Sequence, residues 1–166
     1  MYFPRLYPDE LLYSGIARCR VHLGIGSHKT LLHMLFGDSK VAAITDLPTH
    51  LTALANNTGL DAEGMILNHT LFPLYAPFIP PERRTDLFQA MLAPDRPTIG
   101  LSGASTALVK WPDWLRYCPI CFEDMAARYG EPYWRRSWQI QGIDACPEHG
   151  CQLLNSPIPF RRAQRH

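Results

Sequence analysis

No run of apolar residues in this chain is long enough to cross a membrane. No glycine loop of the Walker or dinucleotide kind is present, and the Gly-Ser stretch at 100–105 lacks the lysine of a phosphate cradle. Met1-Tyr2-Phe3-Pro4-Arg5-Leu6-Tyr7-Pro8 has no apolar core of a signal peptide. Neither sign of charge dominates: the formal net charge is +1, which excludes a polycationic nucleic-acid binder. Seven histidines are present, yet none pairs with a nucleophile or an acid in a recognisable constellation. His28 and His33 lie five apart, off a common helix face, and His22, His50 and His69 stand alone. Catalysis is therefore not expected. There is no internal repeat and no low-complexity tract.

What is present points to a globular chain of the reducing cytoplasm. With 166 residues, 46% apolar and 19% charged, it can bury one good core, or a helical core with a metal-stapled appendix. The charge is uneven: residues 1–100 carry a net −1 and residues 101–166 a net +2. Any electrostatic contact with DNA belongs to the second part and is modest.

The most specific signal is Cys118-Pro119-Ile120-Cys121 followed, 24 residues later, by Cys146-Pro147-Glu148-His149. Two chelating pairs with two-residue spacers suit a tetrahedral zinc ion, and four protein ligands leave no open position, which makes the site structural. Each proline restrains its ligand turn. Five cysteines are an odd number, which speaks against a disulfide framework. Cys151, two residues past His149, is an alternative fourth ligand; the repeated spacer favours His149. Cys19 falls within a helical pattern and reads as a small core residue. The loop between the pairs is too long for an ordinary two-Cys two-His finger.

The first part reads as successive short helices. Pro8-Asp9-Glu10 suits a first helical turn, and Leu12, Ile16, Cys19 and Leu23 continue at helical spacing. Gly24 and Gly26 end that helix, Ser27 caps the next, and Gly37 stops it. Pro48 fits the first position of a third helix, and Asp61 caps a fourth. The prolines of 71–81 predict an extended strap across the core; the alternative is an aromatic groove for a partner, with Tyr75 and Phe78 as its contacts. Pro81 starts a fifth helix that Pro94 ends. We expect a mainly α protein: a helical domain over 1–96 with helix-turn-helix-like elements, a linker over 97–108, and a small zinc domain over 109–166.

Within the helical part, Ala55, Gly59 and Met65 occupy the small, turn and core positions of a helix-turn-helix. The second helix offers no Arg or Lys and opens on two acids, so phosphates would repel it from a major groove. A protein-contact role suits it better. In the zinc part, Trp134-Arg135-Arg136-Ser137-Trp138 sets two arginines between tryptophans. With Lys110, Arg161 and Arg162, these arginines are the candidate DNA contacts. The competing reading buries the tryptophans against the zinc ligands and leaves the arginines solvated.

Several stretches together resemble the TniQ-type transposition proteins, most closely their TnsD branch. They are Phe3-Pro4, the run from Pro8 to Ser14, Ile16-Ala17-Arg18, Leu35-Phe36-Gly37 and Leu47-Pro48-Thr49-His50-Leu51. The run from His69 to Phe78, Arg116 to Cys121, Tyr129-Gly130-Glu131, Tyr133-Trp134-Arg135-Arg136 and Cys146 to His149 complete them. The resemblance implies target-site selection for a bacterial transposon. Such a protein engages double-stranded target DNA and recruits a AAA+ ATPase regulator of the TnsC kind, which licenses the transposase. It implies Cys118, Cys121, Cys146 and His149 as zinc ligands and carries over no catalytic residue. TnsD-like proteins continue well past such a zinc module, so a short form or an N-terminal part is implied. The competing class is an autonomous, sequence-specific DNA-binding regulator built on zinc and a helix-turn-helix. Removal of one zinc ligand is expected to unfold the chain beyond about residue 110 and to spare the earlier helices.

Overall fold

The computed structural model describes residues 1–41, 44–94, 96–98, 100–101 and 110–160. Helices dominate. In chain order they are α1 (Leu12–His22), α2 (His28–Phe36), α3 (Leu51–Thr58), α4 (Ala62–His69), α5 (Phe72–Tyr75), α6 (Pro81–Leu92) and α7 (Pro119–Tyr129). Two strands, β1 (Trp114–Tyr117) and β2 (Leu154–Pro159), form an antiparallel pair in which Arg116 faces Asn155. Among the described residues no helix is long and apolar enough to cross a membrane.

Local chemistry explains most of the helix ends. Ser27 accepts the Thr30 N–H at the start of α2, and Asp61 accepts from Glu63 and Gly64 at the start of α4. Gly37, Gly59 and Gly130 close α2, α3 and α7 in the left-handed conformation, which costs glycine nothing. Two starts differ from expectation. Pro8, Asp9 and Glu10 lie outside α1, because Asp9 has φ 58° and turns its backbone to the zinc part. α3 begins at Leu51 rather than at Pro48, since His50 is also left-handed, at φ 64°.

The strap over 71–81 is a correction. It is helical, broken into α5, a 3-10 turn (Ala76–Phe78) and the start of α6. Pro73, Pro77 and Pro81 each fall in the first turn of a short piece, where the missing N–H is not needed. Proline density thus segments the helix here rather than extending it.

A large apolar cluster joins Leu12, Cys19, Leu35, Leu51, Leu54, Ile66, Leu87 and Met91 with Leu115 and Phe160. A second gathers Cys118, Cys121, Met125, Tyr133, Trp138, Cys146 and Leu153, with Tyr7 packed on it. The two halves therefore exchange side chains: Leu115 and Phe160 enter the helical core, and Tyr7 enters the zinc part's core. Backbone pairing reinforces the exchange. Leu11 donates to the Trp134 carbonyl at 2.8 Å, Arg136 donates to the Asp9 carbonyl at 2.8 Å, and Glu10 bridges Arg135. The expected linker over 97–108 falls largely on residues outside those described.

Candidate metal centre

The cluster is assembled by a helix start and a tight turn. Cys118 is the residue before α7, and its Sγ accepts the Cys121 N–H at 3.4 Å. Cys121 follows one turn later, so both sulfurs face the same side. The second pair sits in a hairpin knuckle in which Cys146 donates to the Cys151 carbonyl and Gly150 to the Cys146 carbonyl, both at 2.8 Å. Gly150 has φ 65°, and Ala145 bridges Gln152 beyond it.

The donor atoms of Cys118, Cys121, Cys146 and His149 all lie within 4.8 Å of one another. Nδ1 of His149 is 3.5 Å from Sγ of Cys118, 3.3 Å from Cys121 and 3.8 Å from Cys146; the Cys121 and Cys146 sulfurs are 3.7 Å apart. Metal–sulfur bonds of about 2.3 Å and metal–nitrogen bonds of about 2.0 Å require tetrahedral edges of about 3.5–3.8 Å. The observed spacings match, and the four residues fit a metal ion held by three thiolates and an imidazole.

The surroundings divide the acidities of the thiols. Burial opposes ionisation of Cys118, yet the Cys121 N–H and neighbouring thiol hydrogens outweigh it and hold its pKa below the ordinary thiol value. Burial and the adjacent thiols push Cys121 upward, the expected result for several thiols sharing one space. Nε2 of His149 faces Oδ2 of Asp124 at 3.6 Å. A carboxylate behind the ligating ring orients it and raises its basicity. Asp124 follows Cys121 by three residues on α7, so helical spacing was a legible but unused signal for it.

The remaining candidate residues are dispersed. Arg135 is ion-paired with Glu148 and lies over the Trp138 ring; Arg136 binds Asp9 and the carbonyls of Leu67 and Thr70. Both arginines thus bind within the protein. Trp138 is fully buried among the cysteines, whereas Trp134 packs, partly buried, against the helical core; the reading that buried both tryptophans against the zinc ligands and left the arginines solvated holds only for Trp138. Lys110 is exposed. Arg161 and Arg162 lie outside the described residues. Tyr75 is buried, whereas Phe78, on the 3-10 turn, is 84% exposed.

Sequence reasoning missed one junction. Glu10, buried completely, accepts from Ser14 and the Tyr7 N–H and pairs with Arg18 at 2.8 Å. Arg18 also binds Glu131, which receives His22 at 2.8 Å. Burial pushes the Glu10 carboxyl up. Burial also opposes the charge on Glu131, but hydrogen bonds from Arg18 and His22 hold its carboxyl below the usual range. Glu131 lies 113 positions from Arg18 and 109 from His22, which leaves no local pattern to read for that half of the junction.

The TniQ family model matches residues 1–153. Over 157 residues the chain is 42% identical to the transposon Tn7 transposition protein TnsD of Escherichia coli, covering 92% of this chain and 31% of that protein. The chain thus spans about a third of the length of this curated relative.

Proposed function

The chain belongs to the TniQ family, and on that premise we propose that it acts in target selection for a bacterial transposon, in the cytoplasm. In this reading it helps engage double-stranded target DNA and recruits a AAA+ ATPase regulator of the TnsC type. Its part is recognition and recruitment rather than catalysis. The observation that carries this is the match to a TnsD protein along 92% of the chain.

The metal is zinc, in a structural role. Three thiolates and one imidazole suit zinc among the common divalent ions, and four protein donors leave no place for a reacting water. One equivalent of zinc in gently purified protein is the expected result.

The surfaces divide by charge and exposure. Among the described residues, exposed Lys110 is the candidate DNA contact that remains, since acids of the protein occupy Arg135 and Arg136. Lys110 precedes Trp111, whose ring stacks on Phe160 at 5.4 Å. Phe78, exposed on the 3-10 turn, is the apolar contact offered to the ATPase, whereas Tyr75 is buried in the core.

The test is retention of the cognate ATPase on immobilised protein, with and without duplex DNA. Retention that DNA strengthens, and that Phe78→Ala weakens, is expected; retention of neither partner ends the proposal. The rival is an autonomous sequence-specific regulator, for which the α3–α4 helix-turn-helix speaks. Tight, strongly sequence-selective binding by the chain alone would favour it. We expect weak binding, with a salt slope that falls by about one when Lys110 becomes alanine.

A further inference from the structure

Beside the four clustered donors lies a further sulfur, that of Cys151. Sγ of Cys151 lies 3.4 Å from Sγ of Cys118, a contact about as long as one edge of a zinc tetrahedron. Cys151 is half-buried, whereas His149 is exposed on the knuckle turn. Only Gly150 separates them, and its left-handed backbone lets residues on either side approach the same centre. The Cys146–Cys151 backbone bond fixes Cys151 to the hairpin, independently of where the His149 ring points.

We propose that Cys151 is a reserve ligand, giving the centre two overlapping donor sets. Cys118, Cys121 and Cys146 are common to both; His149 completes one and Cys151 the other. The inference rests on the zinc reading above. With His149 bound, the Cys151 thiol stands as a hydrogen-bond partner to the Cys118 sulfur. When the imidazole leaves, the Cys151 sulfur loses its proton to solvent and takes the vacated position. Thiolate is the softer donor and binds zinc at least as readily. The imidazole, whose side chain is 25% exposed, is then free for a partner's use without loss of the ion on which the fold depends.

The experiment uses the full 166-residue chain as wild type, His149→Ala, Cys151→Ser and the double variant. Cobalt(II) spectra count the bound thiolates, and zinc competition against a chromophoric chelator gives affinity. Iodoacetamide labelling mapped by mass reports which thiol is free. Wild type is expected to show three thiolates and label at Cys151. His149→Ala keeps one equivalent of metal, shows four thiolates and protects Cys151. Cys151→Ser matches wild type in its cobalt spectrum. The double variant binds zinc more weakly than His149→Ala by about a hundredfold or more, beyond the effect of an outer-sphere change. A His149→Ala chain that loses metal as fully as the double variant, or holds cobalt with three thiolates only, overturns the inference. A wild-type chain that binds neither metal overturns the zinc reading instead.

Discussion

Arg18 is held between carboxylates from opposite halves of the chain, Glu10 and Glu131, while its guanidinium lies 4.1 Å over the Tyr7 ring. Removing the cation leaves the Glu10 carboxylate buried with only the Ser14 hydroxyl and the Tyr7 N–H as partners. Arg18→Ala is therefore expected to cost about 3–5 kcal/mol, measured by urea unfolding. Arg18→Met combined with Glu10→Leu is expected to recover most of that loss, because no charge then remains buried. His69 makes a second residue-scale case. Its Nδ1–H donates to the Glu10 carbonyl at 2.8 Å, and burial holds its imidazole below the ordinary value. The unfolded chain takes up a proton near pH ~6.5 that the folded chain resists, so stability falls as pH drops through that value. His69→Asn keeps a donor to the carbonyl and cannot titrate. The Tm of wild type relative to that of the variant is expected to fall between pH 7 and pH 5.5, with the variant showing the shallower pH dependence.

At the scale of elements, the helices were legible where a side chain acts on its own backbone. Ser27, Asp61, Gly37 and Gly59 mark their helix ends by capping or by left-handed turns, and those ends are where the residues implied. Asp61→Ala is expected to lower stability by about 1 kcal/mol, read from the denaturation midpoint. The starts of α1 and α3 were not legible. Asp9 is held left-handed by Arg136 and by the N–H and hydroxyl of Ser137, partners 127 and 128 positions away. No local rule contains that information. The prolines of 71–81 show the reverse error: a local rule applied too broadly, since proline ends one helix and begins the next equally well.

At the scale of the molecule, the metal centre and the helical core are interlocked. Leu115 and Phe160 are fully buried among the helices, and Thr45 donates to the Phe160 carbonyl. A structural zinc site supplies about 10–16 kcal/mol of apparent binding energy. Because its loss releases β1 and β2, the helical core loses two of its members as well. Cys118→Ser is thus expected to lower the midpoint of the whole chain in one cooperative transition, and not to spare the earlier helices. Far-UV and tryptophan signals that melt separately would show the halves to be independent.

The amino-acid order alone determined the ligand spacing, the capped helix ends and the family resemblance, because each rests on residues a few positions apart or on a motif read directly. Only the tertiary structure decided which charges are occupied. Arg135 and Arg136 read as free cations in the sequence, yet folding brings them to Glu148 and Asp9. A side chain's availability depends on what the rest of the chain places beside it, and that is a property of contacts far apart in sequence.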